Sequence, residues 1–243
     1  MSQKYPGGFI TKSPVAPTSS AASGMWTIDQ AMQLQKQGLW PNRVPTVIGQ
    51  AFGGGYYAGQ IGISGVATHY LVVGPIASAQ NTLKWKNANT ATTGADSVID
   101  GPQNTADMVA DGSSTVYPCA HFCNDLSTGG QTDWYMPAKN ELEICYFNLK
   151  PTTAGNNTSS GINANAVPAR ASNYTSGNPA QTSAADFKST GAEDFEAEYY
   201  WSSTEYSATD AWRQIFAYGL QGYFSKGGVY SSQRVRAIRR VAV

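Results

Sequence analysis

The sequence predicts an α+β fold, with strands first, helices next and strands again at the end. Three observations carry this. Two β-rich runs, GGGYYAGQIGIS (53–64) and GVATHYLVVGP (65–75), meet at Ser64-Gly65, a hairpin signal. Two later stretches carry helical stripes, Cys119/Phe122/Cys123/Leu126 and Leu142/Cys145/Tyr146/Leu149. Four strand-like runs then close the chain: YYWSSTEY (199–206), AWRQIFAY (211–218), LQGYFSK (220–226) and VRAIRRVAV (235–243).

Taken in order, residues 1 to about 25 are rich in Pro, Gly, Ser and Ala and show no periodicity, so they bury too little to order themselves. Extended, they would span about 80 Å. A short helix follows, with Thr27 as N-cap and Gln30 completing a capping box. Ile28, Ala31, Met32 and Gln35 mark its inner face, Gly38 stops it, and Trp40-Pro41 starts a new segment. So short a helix needs a partner for its apolar side. Residues 1–45 are therefore expected to form an attachment arm, with Trp26, Ile28, Met32 and Trp40 as its contact residues.

Residues 46–243 are expected to form the main domain. After the hairpin come a short strand at LKWK (83–86), a helix over 102–111 ending at Gly112, and a second helix from Pro118 to Leu126. Pro118 suits a first helical turn, where its missing N–H costs nothing. TDWYM (132–136) reads as a brief strand, and Pro137 opens a third helix that ends before Pro151. Residues 151–183 are a Thr/Asn/Ser/Ala/Gly stretch, a long polar loop of the length usually kept for function or mobility. Alternation along AWRQIFAY puts Trp212, Gln214 and Phe216 on one face, with Trp212 and Phe216 as core, and turns Arg213 and Ile215 outward.

Composition narrows the function. Charged residues make up 13 % of the chain, against about 25 % in an ordinary soluble domain. Aromatics reach 12 %, led by 14 Tyr and 6 Trp, and rigid rings of that kind suit recognition surfaces. Sixteen basic and sixteen acidic residues cancel, so no long-range positive field gathers phosphates, and nucleic acid is not expected as a partner. No run of about 20 apolar residues exists, so no membrane insertion is expected. The first residues lack an apolar h-region, so secretory export is not expected either.

Several motifs then resemble a known family. They are a helix followed by GG-x-x-DWYMPAKNELE (129–143), then YYWSSTEYSATDAW (199–212), then a closing VRAIRRV (235–241). Together they resemble the C-type-lectin-like domains of bacterial collagen-like adhesins and phage tail fibres, which share a fold with formylglycine-generating enzymes. GGGYYAGQI (53–61) resembles the first strand of such domains in phage structural proteins, and residues 7–41 resemble the N-terminal tags of phage virion proteins. The resemblance implies a C-type-lectin-like fold of small twisted antiparallel sheets with two or three helices. It also implies a virion-surface protein made in the host cytoplasm and assembled as a homotrimer.

No constellation points to catalysis, and no cofactor or metal is expected. The resemblance to formylglycine-generating enzymes would imply cysteine-bound copper. Here Cys119, Cys123 and Cys145 lie on helix stripes and read as core thiols. The calcium triplets of sugar-binding C-type lectins do not occur. Glu193, Asp194, Glu196 and Glu198 read as a solvated helix face rather than a calcium loop. Glu141 and Glu143, two apart on a helix, point in different directions and make a poor glycosidase pair. Arg234, Arg236, Arg239 and Arg240 read as salt-bridged structural residues.

The expectation is thus a non-enzymatic receptor-binding module of a phage tail fibre or spike, touching a host-surface glycan or protein. Its candidate binding residues are Tyr206, Arg213, Ile215, Tyr218, Tyr223 and Tyr230, beside the 151–183 loop. Other virion proteins would hold it through the N-terminal segment. The alternative is a capsid or tail decoration protein attached by the same arm without receptor binding.

Overall fold

A computed structural model describes Thr27, Asp29, Gln30, Met32, Gln33 and residues 44–243. The chain divides into two units, Met1–Thr46 and Val47–Val243. In the first, Thr27 N donates to Gln30 Oε1 at 3.0 Å and Gln30 N donates to Thr27 Oγ1 at 3.2 Å, the expected capping box. Met32 is helical and exposed. Trp26, Ile28 and Trp40 lie outside the described residues.

Two sheets organise the second unit. The first has the order β1-β2-β3-β9, built from β1 (Ala51–Phe52), β2 (Gly55–Ile63), β3 (Val66–Val73) and β9 (Ile238–Ala242). Its β2–β3 hairpin turns at Ser64 and Gly65, with φ of +51° and +80°, and pairs Ile63 with Val66. Positive φ at both central residues matches the right-handed twist of the flanking strands. The second sheet has the order β4-β8-β5-β6-β7, from β4 (Gln80–Leu83), β5 (Tyr199–Glu205), β6 (Asp210–Ile215), β7 (Gln221–Ser225) and β8 (Gln233–Arg236).

The closing run VRAIRRVAV, expected as one strand, serves both sheets. It leaves β8 at Arg236 and joins β3 as β9 from Ile238. Ala237 makes the crossing. Its N–H donates to Ala79 O at 2.8 Å, and its carbonyl accepts from Gly74 N at 3.0 Å. Gly74 has to be glycine, because a Cβ there would lie 2.4 Å from Ala79 Cβ.

Four helices join the sheets of this unit: α1 (Ile76–Ala79), α2 (Gly101–Asp111), α3 (Pro118–Asn124) and α4 (Lys139–Leu149). Asp100 caps α2 by accepting from Gln103 N, and Gly112 ends it. α4 starts two residues after Pro137, where Glu141 reaches back to accept from Ala138 N at 2.8 Å. One core packs the hairpin against α4 with Tyr200, Phe195 and Phe216, and a second gathers Trp85, Tyr117, Cys119, Cys123, Trp134 and Trp201. All three cysteines are buried and unpaired, as expected from their stripes, and burial pushes their thiols upward.

Local readings failed where tertiary partners outweighed pattern. The strand expected at LKWK ends at Leu83; beyond it Trp85 is buried and donates to Ser202 O at 2.9 Å. TDWYM makes only a bridge from Tyr135 to Ile238. The acidic run 193–198 is not a helix. Glu193 pairs with Arg236 and Glu196 with Arg234, while Arg239 pairs with Asp133 and Arg240 with Glu141, so the arginine cluster is structural.

The 151–183 stretch carries no regular element, yet it is firmly tied down. Glu143 on α4 accepts from Asn163, Tyr174 and Arg170 of that stretch. Asn156 donates to the carbonyls of Thr175, Ser176 and Pro179, and its own Oδ1 accepts from Tyr146 and Lys150. Low complexity in sequence does not mean looseness here, because short amide and hydroxyl side chains close these bonds locally.

Candidate recognition surface

The β5–β6–β7 meander forms one end of the second sheet. Its register sets Trp201 opposite Arg213 and Gly222, and Trp212 opposite Tyr223. Directly opposed residues share a face, so the two alternating sets point to opposite sides of the sheet. The six residues proposed from sequence therefore do not form one patch.

On the first face, Tyr206 and Tyr223 stack with ring centroids 3.8 Å apart and planes 7° from parallel. Trp212 stands edge-on to both, at 5.1 Å and 6.1 Å. Lys139, the first residue of α4, holds its Nζ 3.9 Å above the Trp212 ring. Tyr206 and Tyr223 are each about half exposed, at 47 % and 50 %. The β5–β6 turn fixes the Tyr206 backbone, because Tyr206 N donates to Asp210 O and Ser207 Oγ to the Asp210 carboxylate. The adjacent Tyr223 hydroxyl pushes the Tyr206 phenol upward, and burial lowers the Lys139 ammonium against the opposing pull of Glu143. Trp212, expected as core, is only half-buried. It braces the tyrosine pair and is part of the surface.

On the other face, the Arg213 guanidinium lies between two rings, 3.8 Å from the Tyr199 centroid and 4.1 Å from that of Phe224. It lines an open groove of about 370 Å³ together with Thr82, Glu198, Tyr230, Ser232, Gln233 and Arg234. Tyr230 stands almost fully free of the domain, 88 % exposed. The neighbouring Tyr199 hydroxyl raises the Tyr218 phenol.

Ile215 belongs to neither patch. It is only 9 % exposed, which corrects its outward assignment. The alternation argument assumed one wet face, but β6 contacts core on both sides: Phe216 lies in one core, and Ala211 with Trp201 in the other. Tyr199, Phe224, Gln233 and Lys139 were not anticipated. Tyr199 was within reach, since a register pairing Trp201 with Arg213 sets Tyr199 diagonal to that arginine.

The residues weighed for chemistry are engaged elsewhere. Glu141 is fully buried and accepts from Tyr135 at 2.6 Å, Arg240 at 2.7 Å and Gly101 N at 3.2 Å, besides its cap bond. Burial raises both Glu141 and Glu143, and their arginine and tyrosine partners pull them back down. Among the described residues no group of three His, Cys, Asp or Glu side chains could hold a metal ion. No described helix is long and apolar enough to cross a membrane.

Curled, largely antiparallel sheets (β5 and β8 pair in parallel), few helices, a long pinned loop and aromatic rings at one sheet end define a lectin-like α+β domain compatible with the C-type-lectin-like fold. Residues 75–239 match the Lcl C-terminal domain, and the chain belongs to that family. It is thus an adhesin-type, lectin-like domain. The hairpin β2–β3 precedes the matched region, although β9 joins it in one sheet. No curated protein matches the chain.

Proposed function

We propose that this domain is the receptor-binding module of a phage tail fibre or spike, and that its first contact with a host-surface glycan or protein is made by the Tyr206–Tyr223–Trp212 cluster. The observation that carries this reading is the parallel stack of Tyr206 on Tyr223, half exposed and braced by Trp212 and Lys139. Rings already held in place lose little freedom when a partner lands on them, and ring faces suit the apolar faces of sugars as well as protein side chains. Residues 1–45 serve in this reading as the arm joining the domain to other virion proteins. The protein binds rather than turns over its partner, at the virion surface. Three copies in a homotrimer would add weak sites by avidity.

The test is adsorption. Purified full-length chain mixed with cells of the bacterial host should bind them and compete with infection by the parent phage. Neither adsorption nor competition would contradict the reading.

A further inference from the structure

The arginines divide in an uneven way. Arg170, Arg234, Arg236, Arg239 and Arg240 each pair with a carboxylate. Arg213 is the described arginine for which no carboxylate lies within ion-pair range, and its Nε is buried without a hydrogen-bond partner. Burial lowers its pKa, while Tyr199 and Tyr218 pull it back up. The Tyr199 and Phe224 rings compensate the two faces of the guanidinium but leave its edge unmet. A second unmet group lines the same groove: Gln233, whose buried Oε1 accepts from no donor. An uncompensated cation and an unused acceptor are costly in a folded protein unless something else completes them.

We infer that the Arg213 groove binds a single carboxylate carried by an acidic sugar, with the in-plane edge of the guanidinium holding the carboxylate and Gln233 accepting from a neighbouring hydroxyl or amide N–H of the ligand. Three features choose this chemistry. Rings above and below the guanidinium admit a planar acceptor, whereas a tetrahedral oxyanion would press oxygens against the negative ring faces. Glu198 lines the groove with no cationic partner among the described residues, so it repels polyanions while tolerating one charge beside Arg213. Thr82, Ser232 and Gln233 supply polar walls for hydroxyls, and Tyr230 supplies a ring face.

The inference rests on the reading of the domain as a recognition module, but it concerns the opposite face of the sheet from the tyrosine stack. The test titrates glucuronic acid and N-acetylneuraminic acid into the full-length chain, with their methyl esters, a sulfated hexose and a free-carboxylate peptide as comparators, and follows the Arg213 Nε–H resonance. The acids should shift that resonance and the esters should not. Arg213→Lys, which keeps the charge but loses the fork, should weaken binding by about tenfold or more, the equivalent of one charged hydrogen bond. Glu198→Gln should tighten it. Thermal melting of each variant should show that the fold persists.

Ester binding equal to acid binding, tighter binding of the sulfated sugar or the peptide, or no effect of Arg213→Lys in a folded variant would each overturn the inference. So would the absence of carboxylate binding to the wild-type chain. If cells still adsorb the protein in that case, the recognition reading stands and only the groove assignment fails. Carboxylate binding without adsorption would keep the groove assignment and remove the receptor-binding reading.

Discussion

Glu143 on α4 accepts a hydrogen bond from the Tyr174 hydroxyl at 2.6 Å, across 31 residues of chain. Asn163 and Arg170 converge on the same carboxylate, which is fully buried. A single acidic side chain thus ties the irregular 151–183 stretch to α4, the helix that packs against β5 and β6 of the second sheet. Tyr174 in turn accepts from Gln214 of β6 at 3.2 Å, so the tie reaches the strand that carries Trp212 and Arg213.

Replacing Glu143 with Ala should therefore cost about 3–5 kcal/mol, because it leaves Arg170 and two polar groups facing a hole. Tyr174→Phe, which removes one hydroxyl, should cost about 1–2 kcal/mol. Urea denaturation of both variants checks the order. Limited proteolysis should also cut Glu143→Ala within 151–183 well before it cuts the wild type.

Arg236 offers a second, independent tie. Its side chain is buried, donates to Gly74 O at 2.9 Å, and meets the Glu193 carboxylate at 2.7 Å. Arg236→Met should cost about 3–5 kcal/mol, since Glu193 would keep its charge in a site built for a pair. The double variant Arg236→Met/Glu193→Gln should recover a substantial part of that loss. Thermal melts of the cycle measure it.

Alkaline pH should weaken the fold in a defined way. Burial raises the thiols of Cys119, Cys123 and Cys145 above 9.0 and the phenols of Tyr135, Tyr174 and Tyr200 above 10.0. For an acid raised on folding, the folded state keeps its proton where the unfolded chain has lost it. Stability is then complete below the unfolded pKa and falls as pH rises past it. Each group removes about 1.4 kcal/mol per pH unit over that window. Lys139, Lys150 and Lys226, lowered by burial, act in the opposite sense but are fewer. The melting temperature should hold up to about pH 9 and then fall steeply, with buried tyrosinate absorbance appearing only as the chain unfolds.

The exposed hairpin turn can be improved. Ser64 sits at φ +51°, where a side chain other than Gly, Asn or Asp is strained. Ser64→Asn should stabilise the domain by about 0.5–1 kcal/mol without touching either core. A shift of the chemical denaturation midpoint at constant slope would show it.

Much of this architecture was readable in the residues. The hairpin around Ser64-Gly65, the proline-led α3, the buried cysteine stripes and the salt-bridged arginines follow from local chemistry, and the structure carries them as expected. What escaped depends on partners far away in the chain. No local pattern shows that Ala237 carries the backbone from one sheet to the other, because that crossing is decided by Gly74 and Ala79. The site was half legible. Tyr206 and Tyr223 could be named from their outward strand positions, whereas their mutual stacking needed the β6–β7 register. Ile215 was misplaced because a strand with core on both sides obeys alternation without having a wet face.

The central claim is that the Tyr206–Tyr223 stack is a contact surface and not a structural staple. Host-cell binding by purified wild-type chain and by Tyr206→Ala, Tyr223→Ala and the double variant tests it most directly, alongside their melting temperatures. Each single change should weaken binding by about tenfold or more, as for an aromatic anchor worth upwards of about 1.4 kcal/mol, while melting stays within a few degrees of wild type. Undiminished cell binding by a folded double variant would contradict the account.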